Sequence, residues 1–429
     1  MTRTPHPFRI ASFRAYWASR LAGTIATGAM ALIVGWQVYN TARETMEVEE
    51  AAFLLGMIGL VQFVPLFLLT PVVGLVADSV DRRWIVRGTT LLLVLVASGL
   101  GLLTWAGALG LPALFGAAAL IGVARAFAGP AYSALAPNLV PRESLPTAIA
   151  VSSTAWQFGT IAGPGVGGVL LEISPVAAYA AAAGLFATAL ACMFLIGPVP
   201  QPPVQKDHRP LRRIAEGFRY VGRNRLVQAT ITLDLFAVLL AGSTALLPVF
   251  ARDILQVGPN GLGLLAASSG IGAATMALWF SFRPMRENVG MKMLAAVVAF
   301  GVATIIFGLS TNLWLSVAAL VVAGAMDMVS VYVRSSLIQL HTPDEMRGRV
   351  SAVSQLTISA SNELGEAESG LLASLLGPVG AVVLGGVGAI VTTLLWSRLY
   401  PELRLAKTFD PPELVPTIEP PRPSGVKPT

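Results

Sequence analysis

Eight charged residues lie inside stretches that are otherwise apolar: Arg20, Arg125, Asp234, Asp327, Arg334, Glu363, Glu366 and Glu368. A charge in hydrocarbon costs about 2.5 to 3.5 kcal/mol on insertion scales unless it is paired or wet, so each needs a reason to be there. Burial raises the pKa of a carboxylate and a nearby guanidinium lowers it again. A carboxylate that approaches and leaves an arginine can therefore take up and release a proton, and that is the chemistry open to this set. Asp327 and Glu366 are the first candidates for the protonatable groups and Glu363 the next, with Asp234 in the same set and Arg125 or Arg334 as switching partners. Arg334 follows Asp327 by two helical turns, and Glu363 and Glu366 share a helix face with Asn362. The same residues also admit a structural reading, in which Asp327 with Arg334, or Glu363 with an arginine, forms a fixed ion pair between helices. Arg20, near a helix end, is expected to snorkel to headgroups, and Glu368, turned away toward the outer end, fits either reading.

The elements that must hold these charges are long and apolar. The chain is 55% hydrophobic and 12% charged, against about 25% charged for soluble proteins. Twelve apolar stretches are long enough to cross about 30 Å of hydrocarbon: 16–40, 51–76, 85–107, 112–136, 147–171, 176–197, 226–250, 261–282, 291–309, 313–337, 348–373 and 378–397. Backbone groups in lipid must bond within their own segment, so each is expected to be a helix. No stretch alternates apolar and polar residues as an outer-membrane strand would.

With both termini on the inner side, 24 lysines and arginines fall in inner segments and only Arg43 and Arg252 in outer ones. That bias predicts an even number of crossings, N and C termini in the cytosol and a place in the cell (inner) membrane. It also accounts for the net charge of +6, which faces anionic lipid; no nucleic-acid partner is expected. The first stretch is longer than a signal-peptide core and contains Arg20, so it is read as a retained span. Cys192 is the only cysteine, which leaves no intrachain disulfide and no thiolate metal site.

The chain divides into residues 1–198 and 226–398, joined by a basic linker at 199–225 and followed by a proline-rich tail at 399–429 that is expected to be disordered. In the linker Phe218, Tyr220 and Val221 alternate with Arg213, Arg219 and Arg223, which suits an amphipathic helix on the inner membrane surface, although a solvated linker would carry the same residues. The halves repeat. PRESLPTAIAVSSTAWQFGTIAGPGVGG from Pro141 aligns without a gap with PDEMRGRVSAVSQLTISASNELGEAESG from Pro343, an offset of 202 residues that also places Arg125 opposite Asp327. A parallel repeat of six-helix halves, with a site between them near the bilayer midplane, is expected from that register.

Two motifs add detail. GLVADSVDRR packs Gly74, Asp78, Arg82 and Arg83 into a tight inner turn between the second and third stretches; its second-half counterpart, from Phe282, keeps Arg283 and Arg286 without the acidic anchor, and Arg347 and Arg349 in a further inner segment are grouped with the gating loop. GTIAGPGVGG brings Gly159, Gly163, Pro164, Gly167 and Gly168 together in the fifth stretch, where small residues let backbones touch and proline bends the helix. Gln37, Gln62, Gln157 and Asn362 could line a cavity for a bulky ligand; Trp36, Tyr39 and Trp156 fit an interfacial belt equally well.

The inner turn resembles the GxLADxxGRR signature of the major facilitator superfamily, with Asp81 in place of a glycine. The fifth stretch resembles the GxxxGPxxGG element of that superfamily's proton-coupled exporters, although Ala150 replaces a glycine nine residues earlier. GWQVYNTA at Gly35, LQVGPNGLGLL at Leu255 and the stretch from TPDEMRGRV to ESG are similar to its branch of siderophore and drug efflux permeases. The resemblance implies an all-α fold of twelve transmembrane helices in two pseudo-symmetric halves. It also implies proton-driven efflux (antiport) of an amphiphilic small molecule by alternating access, with the loops at Asp78 and Arg347 latching one state.

No GxxxxGK[ST] loop occurs, and His6, His208 and His341 are isolated, so an ATP-driven pump and a metal enzyme are not expected. No nucleophile with an adjacent base is visible, and no cofactor is called for. The expectation is a monomeric secondary transporter whose partners are a small-molecule substrate, protons and the lipid bilayer. A proton-coupled importer of a small solute and a non-transporting membrane receptor or scaffold remain as alternatives.

Overall fold

The computed structural model describes residues 6–198 and 210–410, except for the side chains at 71, 74, 75, 77, 78, 210–214 and 243. The chain is helical throughout, with no strand among the described residues. Helices α1 (Ala11–Ala42), α2 (Val48–Ser79), α3 (Arg82–Trp105), α4 (Leu111–Leu135), α5 (Leu145–Ile173) and α6 (Pro175–Phe194) precede the linker. Then come α7 (Pro210–Arg223), α8 (Arg225–Leu240), the single turn α9 (Leu247–Val249), α10 (Gly258–Phe282), α11 (Val289–Leu309), α12 (Leu313–Leu340), α13 (Asp344–Leu399) and α14 (Pro401–Leu405). Among the described residues, ten helices are long and apolar enough to cross a membrane. The two differences from the expected twelve lie at α5, whose run of Ser, Thr and Gly lowers its apolar character, and at α13. The latter is a 56-residue run interrupted at Gly377, where φ is +73° and the helix cannot continue.

The linker and tail differ from expectation in part. Residues 210–223 form the amphipathic helix α7, whereas 199–209 lie outside the described residues. The tail does not become irregular at 399: Leu403 of α14 is fully buried, and Val289 N and Gly290 N donate to the carbonyls of Lys407 and Ala406. Residues 411–429 lie outside the described residues. The stretch at 226–250 is not one helix either. α8 stops at Leu240, a short 3₁₀ turn spans Ser243–Leu246, and a π turn follows α9 at Phe250–Ile254. The break sits where Gly242 lies against Gly365 of α13, and Pro248 lacks the N–H that would extend the ladder.

Packing is distributed unevenly between the two ends of the bundle. The end that carries residues 80–81 and 341–343 has separate cores. Phe13, Tyr16, Val86, Leu135 and Met193 form one before the linker, and Leu233, Met293, Val333 and Leu403 form another after it. At the opposite end a single core takes Ile33, Tyr39, Leu55 and Leu114 together with Phe250, Leu265, Phe307 and Val382. The most extensive contacts joining the two parts are α2 against α13 and α5 against α10. Both depend on missing side chains: a methyl group on Gly370 would lie 2.6 Å from the Cα of Gly56, and one on Gly168 would lie 2.8 Å from the Cα of Gly263. Between apolar helices in lipid, such close van der Waals contact is what holds a pair together.

Gly370→Val should therefore overpack the α2–α13 contact and cost about 1 to 3 kcal/mol, read as a lower unfolding temperature in detergent. Gly165→Ala, where nothing lies within 4 Å of the added methyl, should leave that temperature unchanged or slightly raised.

Candidate functional site

The intramembrane charges separate into two clusters. The first joins the two parts of the chain. Arg125 of α4 lies 2.7 Å from Glu363 Oε1 of α13 and donates at 2.9 Å to Gln62 Oε1 of α2. The Glu363 side chain is only 5% exposed and that of Arg125 is 41% exposed, so the carboxylate faces the protein and the guanidinium reaches open space. Glu366, on the next turn of α13, comes against α2 at Gly59: a methyl group there would sit 2.8 Å from its Oε2. No ion pair involves Glu366 among the described residues.

The second cluster lies wholly after the linker. Arg334 of α12 pairs with Asp234 of α8, both buried. Asp327 is not in that pair, so the fixed Asp327–Arg334 bridge of the structural reading is not the arrangement found. Side chains seven residues apart share a helix face, but the facing helix α8 supplies its own acid, and Arg334 takes that one. Asp327 instead lines a cavity of about 10 Å³ with Asp234 and Ser330, roughly one water molecule in size. Arg20 donates to Tyr16 Oη at 2.9 Å within α1 and does not simply extend to headgroups. Glu368 has a buried Oε2 without a hydrogen-bond partner.

The expected gating residues are tied up locally. Arg82 donates to the carbonyl of Ala134 at 3.0 Å and Arg83 to that of Ile196 at 3.3 Å, which fastens the turn to the ends of α4 and α6. Arg347 pairs with Asp344 at 2.6 Å and Arg349 with Glu216 of α7 at 2.8 Å. Gly74 and Asp78 lie in the last turns of α2, with their side chains outside the described residues. Asp81, in the place of a family glycine, caps α3: its Oδ1 accepts from Arg83 N at 2.9 Å and its Oδ2 lies 2.5 Å from Arg83 Nη2. The Arg83 guanidinium and backbone N–H hold the Asp81 carboxyl below its ordinary 3.8.

The glycines of GTIAGPGVGG serve two neighbours. Added methyl groups on Gly159, Gly163 and Gly167 would meet Thr24, Ile25 and Ala29 of α1, whereas Gly168 faces α10; Pro164 packs on Gly28. Of the cavity candidates, Gln62 joins the Arg125 cluster, Gln37 and Gln157 are half-buried, and Asn362 is exposed.

Sequence reasoning missed a polar layer at the end opposite residues 80–81. Tyr39 Oη donates to Asp253 Oδ2 at 2.5 Å, Arg43 lies 3.7 Å from Asp253 Oδ1, and Arg252 donates to Asn40 Oδ1 at 2.6 Å. Glu172 at the end of α5 accepts from Asn260 N at the start of α10 at 3.4 Å. Tyr39 is therefore fully buried in an inter-part bond and is not a belt residue. One signal was present in the sequence: the two cations assigned to the outer side, Arg43 and Arg252, both end in this layer.

Solved structures share this arrangement as a fold. A POT family transporter in complex with 5-aminolevulinic acid superposes with a TM-score of 0.73 at 13% identity, covering 92% of this chain and 97% of that one. A bacterial homologue of the human lysosomal transporter Spinster, inward-facing and occupied, gives 0.71 at 14% identity over 93% and 99% of the two chains. The helical bundle is the fold that these transporters share. Residues 2–415 match the model of MFS_3, a major facilitator family described as transmembrane secretion effector; the chain belongs to it and is thereby a transporter and not an enzyme. Curated relatives include the enterobactin exporter EntS of Citrobacter koseri, 29% identical over 404 residues and 92% of each chain. The same exporter from Shigella dysenteriae serotype 1 is 30% identical over 383 residues, covering 87% of this chain and 86% of that protein.

Asp234→Ala should leave Arg334 buried without its counter-charge and destabilise the fold by about 3 to 5 kcal/mol in thermal unfolding; Asp234→Leu with Arg334→Leu should recover most of that loss. Asp81→Ala should cost about 1 kcal/mol at neutral pH. Because the folded-state pKa of Asp81 is depressed, its contribution is present above 3.8 and lost as the pH falls further, so the wild type and variant should converge in acid.

Proposed function

We propose that this chain is a proton-coupled exporter of an amphiphilic small molecule of the siderophore type. On this reading α5 is a crossing and α13 is two crossings separated at Gly377. The bundle then has twelve transmembrane helices in two six-helix halves, with both termini in the cytosol and the chain acting as a monomer in the inner membrane. The closed polar layer at Asp253 lies on the outer side, and the separate cores at the other end let the halves part toward the cytosol. The Arg125, Gln62, Glu363 and Glu366 cluster stands where the halves meet.

The observation that carries this reading is the Arg125–Glu363 pair, because it joins the two halves through a group that can be neutralised. Protonation of Glu363 removes the charge that holds Arg125 and weakens the α4–α13 contact. Glu366, one turn along α13 and against α2, offers a second carboxylate to which the proton can pass. The freed, half-exposed guanidinium is then available to an anionic or catecholate substrate in the space between the halves. Asp327, with Asp234 and Arg334 behind it, is a further protonatable group on the second half. The loops at Arg82–Arg83 and Arg347–Arg349 would exchange their local partners for contacts across the cytosolic face in the outward-open state. Export as the direction is supported by the enterobactin exporters to which the chain is similar.

Inverted membrane vesicles test the proposal. With an acid-inside gradient, accumulation of a catecholate siderophore should depend on the wild-type chain and vanish with a protonophore. Glu363→Gln should lower gradient-driven accumulation by more than about tenfold, since each 1.4 kcal/mol of lost coupling is a factor of ten. Arg125 is already half-exposed, so this variant should still fold. Accumulation indifferent to both the protonophore and Glu363→Gln would overturn the coupling.

A further inference from the structure

The turn between α10 and α11 is the second-half counterpart of the Gly74–Arg83 segment, and the transport reading assigns it nothing. It frames an open recess of about 360 Å³ lined by Trp279, Phe280, Arg283, Arg286, Glu287 and Lys292. Three cations face one carboxylate there. Among the described residues, none of Arg283, Arg286 and Lys292 has an ion-pair partner. Some exposed arginines at this end have partners, as Arg225 has Glu402, Arg347 has Asp344 and Arg349 has Glu216, and others such as Arg219 and Arg223 have none among the described residues; what sets this turn apart is that three unpaired cations line one recess. Concentrated, uncompensated positive charge in an open recess is a site for an anion.

The surroundings indicate what kind of anion. Trp279 is 55% exposed and Phe282 78% exposed, where α10 runs out of its apolar stretch. The Arg283 guanidinium lies over the Trp279 ring at 5.4 Å, so one side of the recess is both cationic and greasy. A free inorganic anion would use the charge but not the apolar rim, whereas a headgroup that arrives with acyl chains uses both. The recess also lies at the end where lysine and arginine accumulate, facing the leaflet that carries anionic lipid. We propose that this recess holds the phosphate headgroup of an anionic phospholipid from that leaflet. A lipid there would brace the α10–α11 turn beside residues 406–407, to whose carbonyls Val289 N and Gly290 N already bond. The inference rests on the reading that the chain spans a bilayer with this end at the cytosolic face; it does not depend on proton coupling or on the direction of transport.

Native mass spectrometry of the full chain, titrated in detergent with phosphatidylglycerol, phosphatidylcholine or inorganic phosphate, tests it. Wild type should retain phosphatidylglycerol in preference to phosphatidylcholine, and inorganic phosphate should not displace it. Each of Arg283→Gln, Arg286→Gln and Lys292→Gln should weaken retention about fivefold, and the triple variant correspondingly more. Arg219→Gln with Arg223→Gln, on the exposed face of α7, should retain the lipid as wild type does. The single variants alter exposed side chains and serve if the triple variant fails to fold. Equal retention by wild type and all three single variants, loss through the α7 pair instead, or displacement by inorganic phosphate would each overturn the proposal.

Discussion

Everything in this bundle depends on how closely helices from its two parts approach each other. In lipid there is no water to drive apolar surfaces together, so association comes from van der Waals contact and the few polar groups that meet. At Gly56 and Gly370, and again at Gly168 and Gly263, hydrogen replaces a side chain and the backbones nearly touch. These contacts bring α2 beside α13 and α5 beside α10, and the first of them delivers Gln62 and Gly59 to Glu363 and Glu366. The charged cluster is thus a consequence of the small-residue contact and not an independent feature.

The polar groups are arranged around that contact according to cost. At the end of the bundle with residues 80–81, arginines find carbonyls and acids within their own part of the chain, as Arg82 does at Ala134 and Arg349 does at Glu216. Deep in the bundle Arg334 and Arg125 each have an opposite charge, whereas Asp327 and Glu366 have no ion-pair partner among the described residues. Arg334 has Asp234, and Arg125 has Glu363 together with partial exposure. A fixed pair such as Asp234–Arg334 holds its helices together. One like Arg125–Glu363, shared between parts and open on one side, can also be undone.

Much of this was legible in the sequence because it rests on local rules. Apolar length foretold the helices. The cost of burying charge singled out Arg125, Asp234, Arg334 and Glu363 before their partners were known. What could not be read was choice among partners. Helical spacing put Asp327 and Arg334 on one face, but Asp234 lies nearly a hundred residues away in sequence and only the packing of α8 against α12 brings it in. The interruption after Leu240 escaped for a similar reason: its apolar residues read as one continuous span, and the Gly242–Gly365 approach that accompanies the break is a tertiary event. Nothing in the sequence singled out Asp253, and its importance appears only once Tyr39 and Arg43 meet it.

The shared core at one end and the divided cores at the other have a mechanical consequence. From Gly59 to the end of α2 is 20 residues, about 30 Å of helix. With its pivot at the glycine contact, α2 is a lever whose short arm ends at Val48, at the end of the bundle where Tyr39 of α1 bonds to Asp253, and whose long arm reaches the end with the divided cores. A tilt of a few degrees shifts the short arm by fractions of an ångström, yet swings the far tip through several times that distance. Hydrogen bonds tolerate little stretching, so the tyrosine clasp between α1 and Asp253 holds the short-arm end still while the far end has room to move.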